Sequence, residues 1–209
     1  MSVTPDRACS RRGSARYGPH MDQRDLLAVA SATFRDRIVC VGDGQWSHAS
    51  TCDEWSVRDI VDHVVGGNRF AARAVEGLSL EVAFAEALAA GFDGNPVVLF
   101  SESADEQLSA FGMPNALHRT VDHPMGPING LDFLGFRICD LVIHSWDVAR
   151  STGGVEEIDD SLTEFVWSQI YRSSGILLAS GSYGSPQRPT DTQPRSRMDE
   201  VLLSAGRTP

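Results

Sequence analysis

The chain has 209 residues, of which 42% are hydrophobic, and a formal net charge of −10. This length is enough to bury one substantial core, and the acidic balance argues against nucleic acid and anionic membrane surfaces as partners, since both repel negative charge. No apolar run approaches the roughly 18 residues that a membrane span requires.

Residues 1–20 carry four Arg and one Asp but no apolar segment. They lack the hydrophobic region of a secretory signal, so the sequence predicts a disordered extension at 1–20 and a single helical-bundle domain at 21–209. We therefore expect a cytoplasmic protein. The four cysteines show no paired spacing and no activating basic neighbour. We expect them to be reduced, buried or incidental, and not to serve as ligands or nucleophiles.

Apolar residues at helical spacing predict a first helix over about 22–41. Ser56 followed by Asp59 is typical of a capping box, which opens a second helix that runs to about Glu76. We expect a short helix at 80–90. Pro96 fits the first turn of a third long helix, which ends near Phe111.

The stretch from Leu117 to Gly130 alternates around Pro-Met-Gly-Pro and predicts a short hairpin. A fourth long helix follows over 131–153. Ser161 with Glu164 then indicates another helix through about Arg172. Residues 181–195 read as irregular, and MDEVLLSAG as a last helical segment. The sequence thus predicts an all-α protein: an antiparallel four-helix bundle with a short β-hairpin before the fourth helix and an extra C-terminal helix.

The fourth predicted helix, LDFLGFRICDLVIHSWDVARSTG, is apolar on most of its faces and holds Asp140 and His144 one turn apart. Residues at i and i+4 project from the same face. Desolvated Asp and His side chains need partners, and His63 on the second helix is the candidate third ligand of a metal site. Two alternatives remain open: Asp140 forms an ion pair with Arg137, or His63 bonds a backbone carbonyl.

Several neighbouring residues admit two interpretations. Gly66 and Gly67 follow His63 on its own face, where they either leave room for a close helix or ligand or mark a kink. For Asp147 we favour an ion pair with Arg150 over a role in orienting His144. We expect the four Trp residues in the core. Asn68 and Trp146 are candidates to line a pocket near the metal. His48, His118 and His123 lie in predicted loops, where we expect them to be solvated.

The segments TCDEWSVRDIVDHVVGGN and DLVIHSWDVARSTG, with the C-terminal SAGRTP, resemble the DinB/YfiT-like superfamily. Within it they resemble the branch related to the metal-binding domain of mycothiol-dependent maleylpyruvate isomerase. The resemblance implies a four-helix bundle that holds one divalent metal ion, with His63, Asp140 and His144 as ligands. The isomerase has Glu where this chain has Asp140. The shorter side chain requires a closer helix approach or a bridging water.

The resemblance also implies chemistry with a small thiol such as mycothiol as co-substrate. Two His and one carboxylate suit Zn²⁺ best, with Ni²⁺ or Fe²⁺ as alternatives. Our first hypothesis is a thiol-dependent transferase or isomerase-like enzyme, in which a metal-activated thiolate attacks an electrophilic substrate. The second is a non-catalytic metal-binding structural, stress or sensor bundle that dimerises through its helices. A hydrolase that uses metal-bound hydroxide is a third. An open site favours an enzyme, and a closed site favours the structural hypothesis.

Overall fold

The computed structural model describes residues 21–172, 185–187 and 195–209. The predictions made for residues 1–20 and for most of 181–195 lie outside these ranges. The helices and strands are α1 (Gln23–Val39), α2 (Val57–Glu76), α3 (Leu80–Ala89), α4 (Pro96–Gly112), β1 (Thr120–Val121), β2 (Ile128–Asn129), α5 (Gly130–Thr152), α6 (Asp160–Arg172) and α7 (Arg197–Ser204).

Helices α1, α2, α4 and α5 form the bundle, in which α2 packs against α4 and α5, and α1 packs against α4 and α5. Helix α3 lies on α2, and α6 and α7 pack on each other beside α5. Strands β1 and β2 pair antiparallel just before α5, with Val121 opposite Ile128. The predicted fold class, a helical bundle with a hairpin before the fourth long helix and a further C-terminal helix, is confirmed.

Large aliphatic and aromatic side chains fill the space between the four bundle helices. Those that are almost completely buried include Phe34, Ile60, Phe100, Phe111, Phe133, Leu134, Ile138, Leu141 and Ile143. The five residues from Phe133 to Ile143 in this list belong to α5. In all, 16 of the 23 residues of α5 are buried. Its apolar sequence is therefore explained by a position in the interior of the bundle, and any polar side chain on it must find a protein partner.

Local capping signals account for most helix ends. Ser56 and Asp59 form the predicted capping box at the start of α2, and Gly153 ends α5 in the left-handed conformation. The predicted start of the sixth helix at Ser161 is displaced by one residue. The carboxylate of Asp159 accepts hydrogen bonds from the backbone N–H of Ser161, at 2.8 Å, and from its hydroxyl, at 2.5 Å. Because Asp159 offers this acceptor, α6 begins at Asp160.

The cysteines do not behave alike. Cys52 and Cys139 are free, whereas Cys40 is disulfide-bonded, so the expectation of reduced cysteines is wrong for Cys40. Burial raises the pKa of the Cys139 thiol, which keeps it protonated and unreactive. None of the helices in the described ranges is both long and apolar enough to cross a membrane.

Candidate metal centre

Three predicted ligands meet at the interface of α2 and α5. Asp140 Oδ1 lies 3.4 Å from His63 Nε2 and 3.4 Å from His144 Nε2. All three ligand atoms lie within 4.8 Å of one another. The fold therefore brings His63 next to Asp140 and His144, which are far from it in sequence.

The spacing of these atoms fits a divalent metal ion. Two ligand atoms about 2.0–2.1 Å from a tetrahedral Zn²⁺ lie about 3.3–3.4 Å from each other, and the two distances to Asp140 Oδ1 are 3.4 Å. A direct N–H···O hydrogen bond is shorter, at about 2.7–3.2 Å. Two imidazoles and one carboxylate are also a donor set that Zn²⁺ accepts. Despite its short side chain, Asp140 places Oδ1 next to both histidine nitrogens.

The site is buried on the α5 side and open on the α2 side. The exposed fraction of the side chain is 4% for His144 and 13% for Asp140, but 40% for His63. The ring of Trp55 lies 5.0 Å from that of His63 and 6.3 Å from that of His144. Trp55 packs partly buried against the core, as expected, and its ring also borders His63, the most exposed of the three candidate ligands.

Arg137 holds the other oxygen of Asp140. Its Nη1 donates to Asp140 Oδ2 at 2.8 Å, its Nε donates to Gln107 Oε1 at 2.9 Å, and its Nη2 donates to Asn68 Oδ1 at 2.9 Å. Burial opposes ionisation of Asp140, but Arg137, His63 and His144 together hold its pKa well below the ordinary value. The two alternatives for Asp140 coexist: Oδ2 pairs with Arg137, and Oδ1 faces the two histidines.

The two glycines after His63 have different neighbours. A Cβ at Gly67 would lie 2.5 Å from Arg137 Nη1, whereas a Cβ at Gly66 would meet only the ring of Phe92, at 3.5 Å. Helix α2 continues through both positions, so the helix does not end there. Gly67 leaves room for the guanidinium that holds Asp140.

Asp147 orients His144 from the side opposite the candidate ligands. Its Oδ2 lies 2.8 Å from His144 Nδ1 and 2.7 Å from Arg207 Nη2. The favoured ion pair with Arg150 is wrong, because Arg150 pairs with Glu156 at 3.0 Å on the surface. Asp147 is completely buried on the inner face of α5, where a buried carboxylate requires buried partners.

The carboxylates next to His144 favour its protonated form. Burial alone would lower its pKa, but the carboxylates of Asp140 and Asp147 raise it well above the ordinary value. Hydrogen bonds from His144 and Arg207 in turn lower the pKa of Asp147 against its burial. The buried groups of the site thus alternate in charge, from Arg137 through Asp140, His144 and Asp147 to Arg207.

Cys52 and Arg207 are the residues at the site that sequence reasoning missed. Cys52, His144 and Asp147 form a second group whose ligand atoms lie within 4.8 Å of one another. A guanidinium already fills this group, since Arg207 Nη2 lies 3.1 Å from Cys52 Sγ as well as 2.7 Å from Asp147 Oδ2. The first group is therefore the better candidate for holding a metal ion.

The remaining polar candidates have structural partners. Asn68 is buried and donates to Ser103 Oγ at 3.1 Å while it accepts from Arg137. Trp146 packs beneath the guanidinium of Arg150, and it lines a surface groove of about 580 Å³ with residues of α6 and α7. The hypothesis that Asn68 and Trp146 line a pocket near the metal therefore has no support from these contacts.

Two of the three loop histidines, His48 and His118, are exposed as expected. His123 differs, because its ring lies 5.2 Å from that of Phe133 and 5.9 Å from that of Phe136. Burial, assisted by the charge of Arg137, lowers the pKa of His123. His123 is thus a partly buried, neutral member of an aromatic cluster beside the hairpin.

Comparison with known proteins places this geometry in context. The family described as the mycothiol maleylpyruvate isomerase N-terminal domain matches residues 27–149. Two uncharacterized proteins of Mycobacterium tuberculosis, from strains CDC 1551 / Oshkosh and ATCC 25618 / H37Rv, are each 29% identical to this chain over 199 residues, which is 90% of this chain and 96% of theirs.

Similar solved structures point to the same fold. The crystal structure of the mycothiol-dependent maleylpyruvate isomerase superposes with a TM-score of 0.52 at 16% identity, over 71% of this chain and 68% of the isomerase chain. A mutant of that isomerase, in which one histidine is replaced by alanine, gives a TM-score of 0.51 at 17% identity over the same shares. At this level of identity the similarity establishes a shared fold.

Proposed function

The chain belongs to the family of the mycothiol maleylpyruvate isomerase N-terminal domain, and from that premise we propose that it is a metal-dependent enzyme acting on a small thiol. His63, Asp140 and His144 are the proposed ligands of one divalent ion. Zn²⁺ is the preferred ion, with Ni²⁺ and Fe²⁺ as alternatives. The proposed reaction is the transfer of a low-molecular-weight thiol, mycothiol or a relative, to an electrophilic carbon, or an isomerisation that uses such a thiol.

The observation that carries the proposal is the convergence of three ligand atoms at metal-ligand spacing. A second observation supports an enzyme over a structural metal site. Structural zinc sites are closed by four protein ligands, whereas catalytic sites keep an open position. Here three ligands converge and the His63 side chain is 40% exposed, so a small molecule has access to the site from the α2 side.

When bound, the metal would lower the pKa of a coordinated thiol or water and so supply a nucleophile near neutral pH. The protein's own contribution is orientation. Arg137 fixes one oxygen of Asp140, so the other remains directed at the histidines. Asp147 holds Nδ1 of His144, which leaves Nε2 available as a ligand atom. Two neutral imidazoles and one carboxylate give a divalent ion a net charge of +1, which favours an anionic thiolate.

The test compares Zn²⁺-loaded protein, metal-free protein and the Asp140→Asn variant with mycothiol and a set of electrophiles. The set includes an activated aryl halide, an epoxide and maleylpyruvate. Consumption of the thiol and change of the electrophile are followed separately, since isomerisation would return the thiol. We expect turnover only with loaded wild-type protein. One bound Zn²⁺ per chain without turnover of any electrophile would contradict the enzymatic proposal and favour a non-catalytic metal-binding bundle.

A further inference from the structure

The C-terminal segment reaches the side of His144 that faces away from the candidate metal position. Helix α7 is fixed at its start by the capping box of Ser196 and Asp199. After it, the backbone N–H of Arg207 donates to the carbonyl of Leu202 at 2.8 Å. Arg207 is only 7% exposed. A residue sixty positions away from Asp147 is thus held inside the bundle.

The guanidinium of Arg207 donates two parallel hydrogen bonds to the carboxylate of Asp147. Nε donates to Oδ1 at 3.0 Å, and Nη2 donates to Oδ2 at 2.7 Å. The third nitrogen, Nη1, donates to the carbonyl of Ala205 at 2.7 Å. Such a bidentate pair fixes both the position and the plane of a carboxylate, which a single point charge such as Lys does not do.

The carboxylate that Arg207 fixes is the one that orients His144. Oδ2 of Asp147 contacts both Arg207 Nη2 and His144 Nδ1, and Thr51 donates to Oδ1 at 2.5 Å. The plane of the carboxylate therefore determines the direction of the His144 ring, and hence where Nε2 lies relative to Asp140 Oδ1. Partners of this kind, which contact a ligand but not the metal, change metal affinity by about 10- to 100-fold when removed.

We propose that Arg207 is a positioning residue of the metal centre, which acts through Asp147 on His144 and couples docking of the C-terminal segment to metal binding. This inference rests on the proposed ligand role of His144. Coupling is reciprocal for binding equilibria, so an arginine that strengthens metal binding is itself held more firmly when the metal is bound. The factor by which docking of the segment raises metal affinity should equal the factor by which bound metal favours docking.

The first measurement is Zn²⁺ affinity by competition with a chromophoric chelator, for wild type, Arg207→Gln, Asp147→Asn and the double variant. We expect each single variant to bind Zn²⁺ about 10- to 100-fold more weakly. The double variant should be no weaker than the weaker single variant, because both changes interrupt one path. Arg207→Lys should recover part of the lost Zn²⁺ affinity, because lysine keeps the positive charge but cannot donate two parallel hydrogen bonds.

A matched control removes a buried arginine elsewhere. Arg69 is 8% exposed and donates to the carbonyl of Gly91 at 2.6 Å, with its guanidinium over the ring of Phe92. Arg69→Gln should bind Zn²⁺ within about twofold of wild type, because Arg69 contacts none of the proposed ligands. Thermal melts of all variants in EDTA show which are folded. If Arg207→Gln does not fold, Arg207→Lys and Thr51→Val carry the test, since both alter the contacts of the same carboxylate.

The second measurement is hydrogen exchange of residues 197–209 with and without Zn²⁺. Protection that increases with Zn²⁺ in wild type, and not in Asp147→Asn, supports the coupling. Zn²⁺ affinity of Arg207→Gln within twofold of wild type would overturn the inference and leave the metal site intact. Additive losses in the double variant would overturn the path through Asp147. A wild-type chain that binds no Zn²⁺ would overturn both the metal site and the inference.

Discussion

Substituting Gly66 and Gly67 separately by alanine tests whether α2 must leave space for the guanidinium of Arg137. The two positions are adjacent in one continuous helix, so the gain in helix propensity is the same for both. Only their surroundings differ. The added Cβ would lie 3.5 Å from the ring of Phe92 at position 66, and 2.5 Å from Arg137 Nη1 and 2.9 Å from Arg137 Cζ at position 67.

The contact at position 66 is ordinary van der Waals distance, so Gly66→Ala should gain about 1 kcal/mol from helix propensity. At position 67 the guanidinium must move. The end of an arginine is flexible in principle, but Gln107, Asn68 and Asp140 hold this one. Overpacking costs about 1–3 kcal/mol, and each lost hydrogen bond to a charged group costs about 1.5–3 kcal/mol. With one hydrogen bond lost, and after the propensity gain, the net loss is about 1.5–5 kcal/mol.

Thermal melts in EDTA measure both effects, at about 2–4 °C per kcal/mol for a chain of this size. We expect the Tm of Gly66→Ala to rise by about 2–4 °C and that of Gly67→Ala to fall by about 3–20 °C. The Zn²⁺ affinity should fall only in Gly67→Ala, because displacement of Arg137 releases Asp140. If Gly67→Ala also melted above wild type, as we expect of Gly66→Ala, the argument that Arg137 is held in place would be refuted.

Three further outcomes are expected. Asp140→Asn should abolish the Zn²⁺-induced rise in Tm and also lower the Tm in EDTA, since it leaves the buried charge of Arg137 undercompensated; an unchanged Zn²⁺-induced rise would remove Asp140 from the ligands. Because its folded pKa is lowered, His123 should make the urea midpoint fall as pH drops below about 6.5, and His123→Phe should reduce that fall; equal pH profiles would contradict this. Arg150→Gln, which removes a surface pair with Glu156 and the guanidinium over Trp146, should lower stability by at most about 2 kcal/mol and leave Zn²⁺ affinity unchanged, as chelator competition would show.

The parts of the fold that local sequence determines were predictable. Helix spacing, the Ser56–Asp59 capping box and the Gly153 stop involve residues within four positions of each other. The pair Asp140 and His144 belongs to the same class, because one helical turn brings the two side chains to one face. The addition of His63 came from its residue type on a second predicted helix, together with the family resemblance.

The contacts that local sequence does not determine were missed. Asp147 lies three residues from both His144 and Arg150, so spacing alone does not distinguish the two partners. Burial decides between them, since Asp147 faces the interior and Arg150 the surface. The partner that completes the buried pair, Arg207, is sixty residues away, and no periodicity links the two. Gly67 likewise reads as a helix breaker until the position of Arg137 is known.

The metal content of untagged protein tests the central claim most directly. The protein is stripped with chelator, reconstituted separately with Zn²⁺, Ni²⁺ and Fe²⁺, freed of excess ion, and analysed by inductively coupled plasma mass spectrometry beside His63→Ala and His144→Ala. From the convergence of His63, Asp140 and His144, we expect about one equivalent of a divalent ion per wild-type chain, and little in either variant. Less than about a tenth of an equivalent in wild type with all three ions, or full loading of both variants, would contradict the account.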